Sequence, residues 1–430
     1  MKKGRLGRLA QLGGMAVGVA GDLARAQVAE RFHEHAAKRL ERVLGEMKGL
    51  PLKAGQLLSY IDDAVPEEQR GVYQGVLGRL QARTHTVPWE RMQVLLVEEL
   101  GAEVDQVFEH FDAEPIAAAS IGQVYAARFQ GRDVVVKVQY PGIAEAIESD
   151  LHNVESLVGA FSAVLPKTDV RPFVEDAVSR ITEELDYTLE ARHQEEFRAI
   201  WAQASDIRIP ATVPELCTGR VLVSERLPGR PWQDILEAPE AQYGATIWRF
   251  VFGSLHGHGV FNADPHPGNY LFEPGVVGFL DFGCVQRFPM PVADAMAALR
   301  VGFMEGASSA QLRELADAAM GLPELDDELW GLFEGYLGLT MEPMTAPQPY
   351  RFTRAYTAKL TRLGLQAKQL AMKKALRHGI QATTTPGLVF MGRINFGLAS
   401  ILAQLGAEAD WPAVLEDTLG ALEGAQSPIT

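Results

Sequence analysis

Residues 261–283 read FNADPHPGNYLFEPGVVGFLDFG, and this stretch decides the fold. Two short apolar runs within it, Tyr270–Phe272 and Val276–Leu280, are separated by Glu273-Pro274-Gly275. Proline and glycine are typical of tight turns, because proline presets its own φ and glycine accepts positive φ. The stretch therefore predicts a buried hairpin with polar residues at both ends.

Three polar side chains around this hairpin form a chemical pattern. Asp264 and Asn269 lie five residues apart in the preceding loop, and Asp281 begins Asp281-Phe282-Gly283 directly after the hairpin. An aspartate at the end of a buried strand is costly unless it is paired or binds a cation. The spacing matches the catalytic Asp, the metal-binding Asn and the metal-binding Asp of kinases. We therefore expect ATP (or ADP) and Mg²⁺ as cofactors, with Asp264 as a catalytic residue and Asn269 and Asp281 as metal ligands.

A cation for the phosphates is available earlier in the chain. Lys137 lies in the β-type run Val134–Val138, which the turn sequence Gln130-Gly131-Arg132 joins to the run Ile121–Phe129. A lysine in a strand is often a solvated edge residue. Its place ahead of the three polar residues instead predicts catalytic contact with the α- and β-phosphates.

An acidic partner for Lys137 is expected on a helix around residues 178–193. Glu183, Asp186 and Glu190 have the spacing i, i+3 and i+7, which would form one acidic stripe. We predict that Glu190 pairs with Lys137, although a solvated helix face would show the same spacing.

The adenine is expected to bind the segment between the two lobes. A strand over Val221–Glu225 leads into Leu227-Pro228-Gly229, and backbone groups of Glu225 and Leu227 are the predicted contacts.

The order of elements predicts an α+β, two-lobed, protein-kinase-like fold that is predominantly helical. Helical spacing covers residues 24–110 and 143–200, and it returns from Val292 to the end of the chain. We expect a helical N-terminal extension over 1–106, an N-lobe with a small antiparallel sheet over 107–229, and a helical C-lobe over 230–430.

Together these motifs resemble the UbiB/AarF/ADCK family of atypical kinase-like proteins. The resemblance covers about residues 30–405. It depends on Lys-x-Gly-Gln at Lys53, Gly55 and Gln56, on Gln139-Tyr140-Pro141-Gly142 after Lys137, and on Glu-x-Asp at Glu184 and Asp186. It depends also on an alanine-rich segment, where kinases carry a glycine-rich loop, formed by Ala117, Ala118, Ala119 and Ser120.

The resemblance implies nucleotide binding with ATPase or atypical kinase activity, often linked to quinone or isoprenoid lipid metabolism. It implies that the alanine-rich segment covers the nucleotide. It also implies that Lys53, Gln56, Glu184 and Asp186 are gating residues, which occupy the space where a protein substrate would dock.

Two local features favour a lipid or small-molecule acceptor over a protein. Residues 282–307 contain no Ser, Thr or Tyr that could serve as a phosphorylated switch, and Ala263 precedes Asp264 where kinases have Arg. Two alternatives stay open: a nucleotide-gated scaffold without productive transfer, and a phosphotransferase of the aminoglycoside or choline type, which His266 favours.

Composition excludes several other classes. The 430 residues carry a net charge of −15, which argues against nucleic acid as a partner. Residues 1–50, with ten Lys/Arg and five Asp/Glu, are basic enough for peripheral contact with an anionic membrane. No segment is long and apolar enough to predict a membrane span, and two cysteines provide no disulfide framework, so we expect a cytoplasmic protein. The spacing of His256, His258 and His266 fits no usual zinc motif.

Overall fold

A computed structural model describes residues 87–119, 121–151, 171–322, 325–378 and 386–426, together with 37–38, 41, 155, 158–159 and 162. The chain divides into two compact units, residues 1–85 with 142–177 and residues 86–141 with 178–430. The second unit contains both larger sheets and most of the predicted site residues. Lys53, Gln56 and Ser120 lie outside the described residues. The three-part division at 106/107 and 229/230 stays a prediction.

The first sheet is antiparallel and has the order β1-β3-β4-β6, with β2 paired to β3. A turn at Gln130 (φ 49°) and Gly131 (φ 74°) joins β3 to β4, as in two-residue hairpins that follow the natural twist of strands. The hairpin predicted at this position is therefore confirmed. Its strands are β1 His110–Phe111, β2 Ala117–Ala118, β3 Gly122–Phe129, β4 Arg132–Gln139 and β6 Val221–Glu225.

The second sheet contains the hairpin predicted from the apolar runs Tyr270–Phe272 and Val276–Leu280. Its order is β5-β10-β9-β7, with β10 antiparallel to β9 and parallel to β5. Strand β8, which precedes the hairpin, pairs with β11, which follows it. The loop from β8 to β9 and the loop from β10 to β11 are therefore both anchored by paired strands. The strands are β5 Ile207–Arg208, β7 Arg230–Pro231, β8 Val260–Asn262, β9 Tyr270–Glu273, β10 Val276–Phe279 and β11 Val285–Arg287, and a short pair β12 Tyr350–Arg351 and β13 Glu408–Ala409 lies later in the chain.

Helices make up most of the rest of the described chain. The helices are α1 Trp89–Leu100, α2 Val104–Val107, α3 Ile143–Leu151, α4 Arg171–Glu183, α5 Tyr187–Ile200, α6 Trp232–Ile235, α7 Ala241–His258, α8 Met290–Glu305, α9 Ser309–Met320, α10 Asp327–Thr345, α11 Arg354–His378, α12 Pro386–Leu405 and α13 Trp411–Gln426. The predicted α+β class with a helical majority is confirmed. Among the described helices, none has an apolar stretch of the length that a bilayer crossing requires.

One helix prediction is wrong. The helix expected around residues 178–193 is two helices, because α4 ends at Glu183 and α5 begins at Tyr187. The Asp186 side chain accepts a hydrogen bond from the N–H of Thr188 and so caps α5, a role that aspartate favours over a helix interior. Glu183, Asp186 and Glu190 therefore do not form one stripe on one helix.

Aromatic rings fill the core beneath the second sheet. Phe250 of α7 stacks on Phe279 of β10 at 3.8 Å between ring centroids. Phe197 of α5 lies 5.4 Å from Phe250 and 5.3 Å from Phe282. The core thus ties α5 and α7 to the segment that carries Asp281.

Candidate nucleotide and metal site

Lys137 is the centre of the candidate site. It lies on β4 between β3 and β6, with Val124 and Leu222 as its cross-strand neighbours. Its Nζ is 2.7 and 2.9 Å from the two carboxylate oxygens of Glu190, and 3.4 Å from Oδ2 of Asp281. The structure therefore brings together three residues that are separated in sequence by 53 and 91 positions.

The charges in this cluster compensate each other. The Lys137 side chain is 16% exposed and the Glu190 side chain 5%, so neither charge would be stable here alone. Burial by itself lowers the pKa of Lys137, but the carboxylates of Asp281 and Glu190 outweigh it and raise the pKa above its ordinary value. The Nζ also lies 5.0 Å from the centre of the Tyr187 ring, which adds a cation–π contact. Lys137 is consequently a permanent cation.

The start of α5 is fixed to the strand that carries Lys137. Nε2 of Gln139 donates to the carbonyls of Leu185 (2.8 Å) and Gly219 (3.1 Å), and the Tyr187 N–H donates to the same Gly219 carbonyl. Glu190 lies in the first turn of α5, where the helix dipole favours a carboxylate. These contacts place Glu190 opposite Lys137.

Glu184 and Asp186, the predicted gating pair, lie in and just after the turn between α4 and α5. Asp186 accepts hydrogen bonds from the N–H (2.9 Å) and hydroxyl (2.6 Å) of Thr188. Glu184 is half-buried. Because Gln139 binds the Leu185 carbonyl, this turn and Lys137 belong to one hydrogen-bonded assembly.

The loop between β8 and β9 holds the predicted catalytic residue. Nδ2 of Asn269 donates to the carboxylate of Asp264 (3.2 Å) and to its carbonyl (3.3 Å). The side chain of Asn262 accepts from the Asp264 N–H (3.1 Å) and donates to the backbone carbonyl of Asp281. Asn262 therefore joins the loop of Asp264 to the segment of Asp281.

The segment after β10 is held from both sides. Oδ1 of Asp281 accepts from the Gly283 N–H at 2.9 Å, which leaves Oδ2 towards Lys137. Phe282 is fully buried against α5, and Nδ1 of His193 lies 3.3 Å from its carbonyl oxygen. Burial lowers the pKa of His193, so this imidazole is neutral at pH 7. Asp281 thus has a defined orientation.

The alanine-rich segment forms a strand rather than an open loop. Ala117 and Ala118 pair with Val124 and Gln123, and the Ala119 N–H donates to the Gly122 carbonyl (2.9 Å). A Cβ on Gly122 would lie 2.2 Å from the Val138 carbonyl oxygen, so only glycine fits at this position. The segment predicted to cover the phosphates is therefore closely attached to β3, the neighbour of the strand that carries Lys137.

Of the two residues predicted to contact adenine, Glu225 already uses one of its backbone groups in a hydrogen bond. Its N–H donates to the Ala211 carbonyl (2.8 Å), so this N–H is already used within the protein. The side chain of Leu227 is buried.

Sequence reasoning assigned no role to Tyr187 or Asn262 and quoted Gln139 only as part of a motif. Each of the three contacts a residue at least 19 positions away, and no local pattern indicated these contacts. The nearest available signal was the position of Asn262 two residues before Asp264.

The donor atoms suit magnesium. A carboxylate from Asp281 and an amide oxygen from Asn269 are hard ligands, and Mg²⁺ usually takes only one or two protein ligands alongside phosphate and water. No group of three or more His, Cys, Asp or Glu side chains arranged for a metal occurs in the described part of the chain. His266 accepts from the Gly268 N–H within its own loop.

Comparisons with known proteins also indicate a kinase-like chain. Residues 79–314 match the ABC1 atypical kinase-like domain. The chain is similar to the atypical kinase COQ8, mitochondrial, of Saccharomyces cerevisiae (33% identity, 58% of this chain and 50% of that protein). It is similar also to the atypical kinase COQ8B, mitochondrial, of Rattus norvegicus (33% identity, 67% of this chain and 58% of that protein). The chain thus spans about half the length of these curated relatives.

A solved structure resembles the chain over nearly its whole length. The Rv3197–erythromycin complex from Mycobacterium tuberculosis has a TM-score of 0.61 and 27% identity, and it covers 93% of this chain and 98% of its own. With the family match, this likeness confirms the protein-kinase-like fold.

Proposed function

The chain belongs to the ABC1 atypical kinase-like family, and we propose that it binds ATP or ADP with Mg²⁺ and transfers the terminal phosphoryl group of ATP. The observation that carries the proposal is the contact of Lys137 Nζ with both Glu190 (2.7 Å) and Asp281 (3.4 Å). A lysine held between these two carboxylates has a fixed position and a fixed charge, which positioning of a triphosphate requires.

Each proposed role follows from a contact. Glu190 orients Lys137, and Lys137 binds the α- and β-phosphates. Asp264 accepts the proton of the attacking hydroxyl, and its carboxylate is held by Asn269. Ala117, Ala118, Ala119 and Ser120 cover the phosphates, and Glu225 and Leu227 bind the adenine edge through backbone groups. In this proposal Lys53, Gln56, Glu184 and Asp186 restrict access.

The metal would be held by Asp281 and Asn269. Bound magnesium supplies charge neutralisation on the phosphate oxygens. Asp281 can serve this ligand role because Gly283 and Lys137 already determine where its two oxygens point.

We propose water, a small molecule or a lipid-like molecule as the phosphoryl acceptor. The absence of Ser, Thr and Tyr from residues 282–307 supports an acceptor other than protein. The M. tuberculosis neighbour was solved with erythromycin, so a non-protein ligand occurs on a related chain. A link to quinone or isoprenoid lipids, and cytoplasmic placement with peripheral membrane contact through residues 1–50, belong to the same proposal.

The test compares nucleotide binding and hydrolysis in wild type and Asp281→Asn. Wild type at a hundred times the dissociation constant of Mg-ATP should gain about 2.7 kcal/mol of stability in a thermal-shift series. Asp281→Asn should lose this magnesium-dependent gain and keep its fold. Asp317→Asn, an exposed aspartate on α9, is the matched control. Unchanged Mg-ATP binding in Asp281→Asn would overturn the proposal.

A second variant separates transfer from a nucleotide-gated scaffold. Asp264→Asn should keep the thermal shift with Mg-ATP and lose hydrolysis, measured with and without anionic vesicles and with erythromycin as one candidate acceptor. Equal hydrolysis in Asp264→Asn and wild type would remove Asp264 from the proposed mechanism.

A further inference from the structure

A cavity lies among the C-lobe helices, and its lining is separate from the residues of the proposed nucleotide site. It is lined from α7, α8, α9, α10, α11, α12 and α13, and none of Lys137, Asp264 or Asp281 borders it. Its empty volume is about 900 Å³ when the open space at its mouth is counted. Helices α10 and α12 lie beyond residue 314, where the match to the family domain ends.

The wall of this cavity is mostly apolar and adaptable. Four methionines contribute to it, together with aromatic rings such as Trp248 and Phe352. Methionine has an unbranched, polarisable side chain that adjusts to different shapes. The methionines are Met296, Met320, Met341 and Met344.

Two polar atoms of the wall have no partner in the described part of the chain: Nδ1 of His256 and Nε of Arg300, both buried. The other hydroxyls of the wall are satisfied, since Thr340 donates to the Leu337 carbonyl and Tyr356 to the Leu339 carbonyl. Buried polar atoms without hydrogen bonds are rare in native proteins, so the N–H at Nε of Arg300, with Nδ1 of His256 in the tautomer that protonates this nitrogen, indicates a missing acceptor.

Where Arg300 and His256 line the cavity, its wall is positively charged. Arg300 forms no ion pair within the described residues, and its Nη1 has only Met304 Sδ, a weak acceptor, at 3.6 Å. Burial lowers the pKa of Arg300, with Glu416 opposing this, and it lowers the pKa of His256 to about 4. At pH 7 the pair is therefore one guanidinium and one neutral imidazole.

We propose that this cavity binds an amphipathic molecule whose anionic, oxygen-bearing head group contacts Arg300 and His256, and whose apolar chain lies among the methionines and aromatic rings. A carboxylate or phosphate supplies the acceptors that Nε of Arg300 lacks, in the charge-assisted geometry that guanidinium favours. A cationic head group is excluded by charge, and a purely apolar molecule would leave both polar atoms unsatisfied.

The test uses dodecanoate as the probe, below its micelle concentration, titrated into the full chain by calorimetry. Wild type should bind dodecanoate at one site and should bind dodecanol and dodecylamine at least about tenfold more weakly, because both lack the anionic acceptor. Arg300→Met should weaken dodecanoate by about tenfold or more. Arg362→Met, which removes an exposed arginine of α11, is the matched control and should bind as wild type does.

Two further variants separate the possible outcomes. Asp281→Asn should keep dodecanoate binding, so failure of the proposed nucleotide site leaves this inference standing. Should Arg300→Met not fold, Ala399→Leu, which fills the wall at a buried position, must weaken dodecanoate instead. The proposal would be overturned if dodecanoate showed no saturable binding, or if dodecanoate, dodecanol and dodecylamine bound equally well. It would also be overturned if neither Arg300→Met nor Ala399→Leu changed the binding of dodecanoate.

Discussion

Two largely buried cations in this molecule have opposite surroundings. Lys137 has two carboxylates within 3.4 Å, and its pKa is raised. Arg300 has no ion pair within the described residues, and its pKa is lowered. A buried charge costs several kcal/mol unless it is compensated. Lys137 is compensated by the protein's own carboxylates, whereas Arg300 would be compensated by the anionic group of a ligand.

The two cations are buried in different ways: one is paired with carboxylates of the protein, and the other is not. In the proposed nucleotide site the chain supplies the counter-charges itself, from α5 and from the segment after β10, so the charged groups are in place before any ligand binds. In the C-lobe cavity, the described residues place no carboxylate in an ion pair with Arg300. Four substitutions test this difference, from the largest expected effect to the smallest.

Replacing Lys137 should have the largest effect. Lys137→Met leaves Glu190 buried without its cation, so the free energy of unfolding should fall by about 3–5 kcal/mol, and ATP hydrolysis should be lost. Urea denaturation and a hydrolysis assay measure the two effects. Lys359→Met, at an exposed ion pair of α11, should change stability by less than about 1 kcal/mol. Equal losses in both variants would remove the distinction drawn for Lys137.

Acid should act on the cavity through His256. The pKa of His256 is lowered from 6.5 to about 4, first by burial and then by Arg300. Between these values the unfolded chain binds a proton that the folded chain does not, so stability decreases as the pH falls from 6.5 to 4, by about 3 kcal/mol for this residue. His256→Leu should flatten the dependence of the unfolding free energy on pH in this window by that amount. An unchanged slope would show that His256 is solvated.

A glycine connects the two regions. Gly397 of α12, the helix that lines the cavity, would place a Cβ 2.8 Å from Cγ of Pro265, the residue after Asp264. Gly397→Ala should therefore displace the Asp264 loop, cost about 1–3 kcal/mol and reduce ATP hydrolysis.

The matched control for Gly397 is Gly331→Ala, because Gly331 lies on α10 with open space around it. This variant should keep full hydrolysis and gain about 0.5–1 kcal/mol from the lower chain entropy of alanine. Hydrolysis that is reduced equally in both variants would contradict a specific contact at Pro265.

The smallest effect should have the opposite sign to that of Lys137. Arg300→Met removes a poorly compensated charge without leaving a carboxylate behind, so the ligand-free protein should be stabilised by about 1 kcal/mol. Thermal denaturation of ligand-free protein measures this gain. A loss of several kcal/mol would mean that Arg300 has a structural partner.

The features that sequence predicted well are local ones. The β3–β4 hairpin depends on Gln130-Gly131 and on flanking β-branched residues, and the β9–β10 hairpin depends on Pro274 and Gly275. The order Lys137, Asp264, Asn269 and Asp281 indicated a shared chemistry. The prediction of one continuous helix around residues 178–193 was wrong. Helical spacing does not reveal that the Asp186 side chain accepts a hydrogen bond from the Thr188 N–H and caps α5.

By itself the sequence determined the hairpins, the helical majority and the kinase-like order of motifs. It also named Glu190 as a partner for Lys137, and the tertiary structure established that contact. Only the tertiary structure decided that Gln139 holds the Glu184–Asp186 turn, that Asn262 joins Asp264 to Asp281, and that Arg300 and His256 share one apolar cavity. Turn chemistry and periodicity act over a few residues and are visible in order. Hydrogen-bond satisfaction and burial depend on which distant segments meet, and no local pattern records that.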